Sequence, residues 1–190
     1  MKYISTRNKQ NFFSSEQVLN YGLAPDGGLF IPEFVPKFSL DSINALKGSS
    51  YKDIAFFILE PFLSDLFSDI EIKNIINEAY QNFDKEIVST SSLGENYLLN
   101  LYHGPTLAFK DYAMCLLAKI YEYYLNKNDQ KLLIIGATSG DTGSAATHAF
   151  KHIESITANI CSHQNSTSYL QRKQMRTSGA NSDYDLALGC

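Results

Sequence analysis

The second half of the chain alternates between stretches with the spacing of strands and stretches with the spacing of helices. Strand-like stretches occupy residues 97–102, 131–137, 155–160 and 183–188, and helix-like stretches occupy residues 107–125, 143–151 and 167–177. Strands that alternate with helices are joined by crossover connections, which produce a parallel sheet covered by helices. We therefore predict an α/β fold, with a parallel sheet that carries helices on both faces.

The first half of the chain has a different pattern. Apolar residues recur at three-and-four spacing over residues 40–46, 51–63 and 70–83, as in amphipathic helices, and Asp69 is a candidate N-cap. A run of small and polar residues, 89–95, separates the two patterns. We predict a small, mainly helical N-terminal domain over residues 1–92, and the first part of an α/β domain over residues 93–190.

The end of the chain follows the fourth predicted strand directly, at Cys190. A parallel strand buried on both faces needs neighbouring strands and covering helices. We therefore expect the α/β domain to be incomplete and the chain to be truncated.

Composition and charge argue against several classes of protein. Apolar residues make up 44% and charged residues 19%, as in globular proteins with a core, and the net charge of −4 argues against nucleic-acid binding. No apolar run approaches the roughly 18 residues that span a bilayer, and the N-terminus lacks a secretory signal. Three widely spaced cysteines favour the reducing cytoplasm over a disulfide framework or a zinc site. His148 and His152 could chelate a metal, but a solvated helix face is the preferred interpretation.

One lysine lies in an unusual setting, within the segment His103–Asp111. Lys110 follows small and apolar residues near the start of a predicted helix, for which Thr106 is a candidate N-cap. Apolar surroundings and the positive end of a helix dipole both favour the neutral amine, the form that attacks a carbonyl group. Lys110 is therefore a candidate covalent anchor for an aldehyde cofactor. The alternative is a lysine that extends its charged end into solvent.

A glycine-rich loop, within Gly136–Ala146, follows a buried strand and leads into a helix. Its free amides and hydroxyls favour an anion such as a carboxylate or phosphate, and the candidate residues are Thr138, Ser139, Gly140, Thr142 and Gly143. The spacing matches neither a Walker loop nor a dinucleotide fingerprint, and Asp141 would repel a bare phosphate. The alternative is a tight strand-to-helix turn without a ligand.

These two segments together resemble the cofactor-lysine segment and the substrate loop of the threonine synthases. Two further regions agree in order and approximate spacing, namely Tyr3–Arg7 with Gly22–Leu29 near the start, and Leu170–Met175 near the end. The resemblance covers nearly the whole chain. It implies a pyridoxal-phosphate-dependent lyase with the fold of the tryptophan synthase β subunit, active in threonine biosynthesis.

The resemblance also implies the reaction and the residues that perform it. The substrate is a small molecule, O-phospho-L-homoserine, which reacts with water to give L-threonine and phosphate. Lys110 is implied to be the catalytic residue, which holds pyridoxal 5′-phosphate and then moves protons at the substrate carbons. Asp141 is implied to lie beside the cofactor ring, and the loop residues named above are implied to bind the substrate carboxylate. The oligomeric state stays open.

Length is the main departure from the family. Threonine synthases are considerably longer, and their distal half supplies a second glycine-rich loop for the cofactor phosphate. We therefore expect residues 1–190 alone to bind little cofactor and to be inactive. Two alternatives stay open: a threonine-synthase-like phospho-lyase that releases phosphate and yields a keto acid, and a non-catalytic truncated remnant.

Overall fold

The computed structural model of the chain describes residues 1–84, 86–138, 140–163, 173 and 186–188. It divides into two compact units, Met1–Asn77 and Glu78–Cys190. The first unit contains three short strands and four helices: β1 (Lys2–Ser5), β2 (Phe12–Ser14), α1 (Ser15–Tyr21), β3 (Phe30–Pro32), α2 (Leu40–Ala45), α3 (Tyr51–Leu63) and α4 (Asp69–Ala79), whose last turn crosses the boundary. The domain boundary at residues 92 and 93 stays a prediction.

A serine immediately before the first residue caps the N-terminus of each helix in the first unit. The Ser14 and Ser50 hydroxyls accept from the amides of Gln17 and Asp53, whose side chains accept in return from the serine backbone, so both form capping boxes. Ser39 caps α2 in the same way without the reciprocal bond. Ser68 and Glu71 exchange equivalent bonds before α4. The N-cap of α4 is therefore Ser68, and the prediction of Asp69 was wrong by one residue because Asp69 already belongs to the helix.

A three-stranded antiparallel sheet in the order β2-β1-β3 accompanies these helices. The central strand pairs Tyr3 with Phe13 on one side and Ile4 with Ile31 on the other. Ile72, Ile75 and Ile76 of α4 are at most 1% exposed, and they form the apolar face that the three-and-four spacing predicted.

The second unit contains the elements β4 (Ser89–Leu93), β5 (Asn96–Asn100), α5 (Lys110–Asn128), β6 (Leu132–Ala137), α6 (Asp141–Phe150), β7 (Ile156–His163) and β8 (Leu186–Leu188). Strands β6, β7 and β8 form a parallel sheet in that order, as predicted from the alternation of strands and helices. Helix α6 packs against α5 and β7. Apart from residue 173, which is helical, the predicted helix over residues 167–177 lies outside the described residues.

Strand β5 does not join the parallel sheet, which corrects the prediction made from the alternation. It pairs antiparallel with β4, and Leu93 faces Asn96 across a two-residue turn. Gly94 in that turn has a φ of 62°, the left-handed conformation that tight hairpins require. The run of small polar residues at 89–95 is therefore a strand and a hairpin turn, not a linker.

Strand β6 is half-buried on one face and exposed on the other, whereas its continuous apolar sequence predicted burial on both. Leu133 and Ile135 are 57% and 72% exposed, and the alternate residues of the strand are more covered. In the neighbouring strand, against which α6 packs, Ile156, Ala158 and Ile160 are buried.

Within the described part of the chain, no helix combines the length and apolar character needed to cross a bilayer. The same residues contain no group of three or more His, Cys, Asp or Glu side chains placed to hold a metal ion.

Candidate functional site

Lys110 is the first residue of α5, which confirms its predicted place in the first turn of a helix. Its Nζ atom lies 4.3 Å from the centre of the Phe109 ring. Among the described residues, Lys110 makes no hydrogen bond or ion pair. A primary amine with no carboxylate partner is available for covalent attachment to an aldehyde.

The loop before Lys110 turns sharply and is closed by Asp111. The Thr106 amide donates to Asp111 Oδ2 over 2.8 Å, and the Thr106 hydroxyl donates to Oδ1 over 2.7 Å. Between these residues, Leu107 has a φ of 62°, which non-glycine residues rarely adopt. The prediction that Thr106 caps a helix starting at Leu107 was wrong, because Leu107 is left-handed and the Thr106 hydroxyl bonds a side chain instead.

His103 fixes the other end of this loop. Its Nε2 atom lies 2.8 Å from Ser89 Oγ in strand β4, and its carbonyl accepts from the Asp84 amide over 3.0 Å. Its Nδ1 atom is also 3.5 Å from the Asp84 carboxylate. The segment His103–Asp111 is therefore held at one end by the hairpin and at the other by the start of α5.

The glycine-rich loop leaves the carboxyl end of β6, where parallel sheets of this kind bind ligands. Thr138 follows the strand, and its amide donates to Cys161 O over 2.9 Å. Gly140 is the N-cap of α6 and provides no side-chain cap, and the Gly143 amide donates to Gly140 O over 3.0 Å. Free amides at a helix start attract an anion. Ser139 lies outside the described residues, so its predicted role stays a prediction.

Ser144, in the first turns of α6, carries a buried hydroxyl oxygen that has no hydrogen-bond partner among the described residues. Buried hydroxyls are ordinarily paired, because an unpaired one costs about 1–3 kcal/mol. Such an orphaned group is typical of a site that a ligand or an ordered water completes. Ser144 had no predicted role, although its place just behind the glycines was a usable signal.

Helices α5 and α6 border one cavity of about 240 Å³, which Pro105 of the lysine segment also lines. Cys115 contributes from α5, and burial, with a smaller effect of the Asp111 carboxylate, raises the pKa of its thiol to about 12. His148 contributes from α6, and burial lowers the pKa of its imidazole, with a further decrease from Lys151. The lysine segment and the helix that follows the glycine loop are thus neighbours in the second unit.

Comparison with known proteins gives consistent matches. A family model described as the threonine synthase N terminus matches residues 2–80. A threonine synthase from Pseudomonas aeruginosa is 38% identical, over 99% of this chain and 40% of that protein. A threonine synthase from Methylobacillus glycogenes is 40% identical, over 92% of this chain and 39% of that protein.

A crystal structure agrees with these sequence matches. The structure of PLP-bound threonine synthase from Brucella melitensis superimposes with a TM-score of 0.91 at 37% identity, over 98% of this chain and 41% of that one. The chain therefore spans about 40% of the length of the relatives that it matches.

Proposed function

We propose that this chain belongs to the threonine synthase family, whose N-terminal part it matches, and that the intact protein converts O-phospho-L-homoserine and water to L-threonine and phosphate. The observation that carries the proposal is the place of Lys110 at the first residue of α5, within the segment that resembles the family's cofactor-lysine segment. Its amine has no hydrogen-bond or ion-pair partner among the described residues. We place the reaction in the cytoplasm, since the cysteines favour a reducing compartment.

Pyridoxal 5′-phosphate is the cofactor of this proposal, and the residues present fit it. Among the described residues, Lys110 offers an amine without a carboxylate partner and Ser144 offers a buried hydroxyl without a hydrogen-bond partner, and the start of α6, which has no side-chain cap, presents backbone amides. When bound, the cofactor supplies an electron sink for carbanion chemistry at the substrate carbons.

The residues of this chain have separate tasks in the proposed reaction. The Lys110 amine would hold the cofactor through its aldehyde and, when free, would move protons at the substrate carbons. The substrate carboxylate is bound by the amides and hydroxyls of the glycine-rich loop, Thr138, Ser139, Gly140, Thr142 and Gly143. Asp141 would contribute to holding the cofactor, as the resemblance implies. The start of α6 favours the carboxylate electrostatically, since it carries partial positive charge.

Product analysis tests the proposal. The intact protein, supplied with pyridoxal phosphate and O-phospho-L-homoserine, is expected to release equal amounts of phosphate and L-threonine, and the Lys110→Ala variant is expected to release neither. Release of phosphate with 2-oxobutanoate and ammonia would instead indicate a phospho-lyase. No phosphate release from the wild-type protein would refute both readings and favour a non-catalytic remnant.

A further inference from the structure

Asp111 is the one charged side chain in the buried class among the described residues, with 0% exposure. It follows Lys110 directly, in the first turn of α5. A buried carboxylate is strongly disfavoured unless hydrogen bonds replace its lost hydration. The position of Asp111 therefore depends on the groups that bond it.

Both oxygens of this carboxylate bind the same residue, Thr106. The Thr106 amide and hydroxyl donate to Oδ2 and Oδ1 over 2.8 and 2.7 Å. Gly104 packs against the same group, since a Cβ there would lie 2.5 Å from both Cβ and Oδ2 of Asp111. The carboxylate thus ties the segment 104–106 to the helix that begins with Lys110.

The loop held in this way contains one residue, Leu107, in a backbone conformation that is unfavourable by itself. Leu107 has a φ of 62°, although it is not a glycine, and its amide donates to Gly104 O over 3.0 Å. A leucine in the left-handed region costs about 1–2 kcal/mol and persists only where surrounding bonds impose it. The bonds to Asp111 impose it here, and they set where the chain enters α5.

We propose that Asp111 is a positioning residue for Lys110. It fixes the backbone from which the Lys110 side chain extends, through Thr106 and Gly104. No ion pair joins Asp111 to the Lys110 amine among the described residues, so the influence passes through the loop and not through the charge of the amine. This inference rests on the proposed role of Lys110 as cofactor anchor.

The test compares covalent and non-covalent cofactor binding in the intact protein. The rate of adduct formation with pyridoxal phosphate is followed by the visible absorbance of the lysine–cofactor adduct. The affinity for pyridoxamine phosphate, which lacks the aldehyde, is measured by calorimetry. In Asp111→Asn, we expect adduct formation to slow about ten- to a hundredfold while pyridoxamine phosphate binds within about threefold of wild type, since a misplaced reacting group affects the covalent step.

Three further variants keep the test decisive if Asp111→Asn folds poorly. Thr106→Val keeps the side-chain shape but removes the donor to Oδ1, and we expect it to slow adduct formation; Thr106→Ser keeps the donor and is expected to restore most of the rate. Asp129→Asn makes the same chemical change at the exposed C-cap of the same helix, and it is expected to leave the rate unchanged.

Two results would overturn the inference while leaving the proposed function intact. One is a wild-type rate of adduct formation in both Asp111→Asn and Thr106→Val. The other is an equal loss of adduct formation and pyridoxamine phosphate affinity, which would indicate general disruption of the site. If no adduct forms on Lys110 in the wild-type protein, the proposed function itself fails.

Discussion

Substitution of Gly28 by alanine is expected to destabilise the first unit through a collision with Ser5, beside close contacts with Asp26 Oδ1 at 3.0 Å and Thr6 Oγ1 at 3.1 Å. A Cβ at position 28 would lie 2.1 Å from Ser5 Oγ, where ordinary contact needs at least 3.4 Å. Ser5 is 1% exposed, and its hydroxyl donates to Asp26 Oδ1 over 2.7 Å and accepts from the Arg7 amide over 3.1 Å. The hydroxyl cannot move away without losing both bonds.

The expected loss of stability combines overpacking with these lost bonds. Overpacking costs about 1–3 kcal/mol, and each disrupted bond costs about 0.5–1.5 kcal/mol. Because one displacement causes both effects, we expect Gly28→Ala to lower the free energy of unfolding by about 2–4 kcal/mol. Urea denaturation with linear extrapolation measures this change.

A double-mutant cycle with Ser5→Ala isolates the collision. Ser5→Ala removes the colliding oxygen, so Gly28→Ala is expected to cost at least about 1 kcal/mol less in that background than in the wild type. Additive effects within about 0.5 kcal/mol would refute the reasoning, because they would show that Ser5 is not what the new methyl group meets.

Three further predictions concern other parts of the chain. Ile75→Ala, at a position with 0% exposure, is expected to lower the free energy of unfolding by about 2–5 kcal/mol, whereas Ile70→Ala on the same helix, at 73% exposure, is expected to change it by less than about 0.5 kcal/mol; equal effects in urea denaturation would contradict the packing described here. The Ser5 hydroxyl and the Gly28 amide lower the pKa of Asp26 below its ordinary value, so the stability this carboxylate contributes is present above about pH 4 and is lost as the pH falls through the lowered pKa. Asp26→Asn is expected to weaken the decrease of melting temperature at acid pH, and an unchanged decrease would argue against the hydrogen bonds. Burial raises the pKa of the Cys115 thiol to about 12, so iodoacetamide is expected to alkylate it slowly at neutral pH until the protein is unfolded; rapid labelling of the folded protein, located by mass spectrometry, would contradict the buried position.

Much of the fold could be predicted because its signals are local. Helix α3 begins and ends where the spacing of apolar residues predicted, at Tyr51 and Leu63, and Ser14 was a usable sign of the start of α1. The parallel strands β6 and β7 followed from short apolar runs separated by helical spacing.

The errors occurred where a distant or unexpected partner decides the structure. Strand β1 was not predicted, because its pairing joins Ile4 to Ile31, far along the chain. Strand β5 was assigned to the wrong sheet, because the turn at Gly94 returns it to its immediate neighbour. The start of α5 was placed three residues early, because Thr106 looks like a helix cap until its hydroxyl is seen to donate to Asp111.

The residues of the candidate site also divide into those that the sequence predicted and those that it did not. Residue types and their order predicted Lys110 and the glycine-rich loop. The contribution of Asp111 could not be predicted, because an acid in the first turn of a helix is common, and only its burial and its bonds to Thr106 distinguish this one.

The central claim is that Lys110 carries the cofactor, and borohydride reduction tests it most directly. The intact protein is loaded with pyridoxal phosphate, reduced to make the linkage permanent, digested, and mapped by mass spectrometry. We predict that the cofactor mass is found on the peptide containing Lys110, that Lys110→Arg abolishes it, and that Lys119→Arg, which changes a lysine paired with Glu78 and Glu122 on the same helix, does not. Cofactor attached to another lysine, or unchanged labelling of Lys110→Arg, would contradict the account.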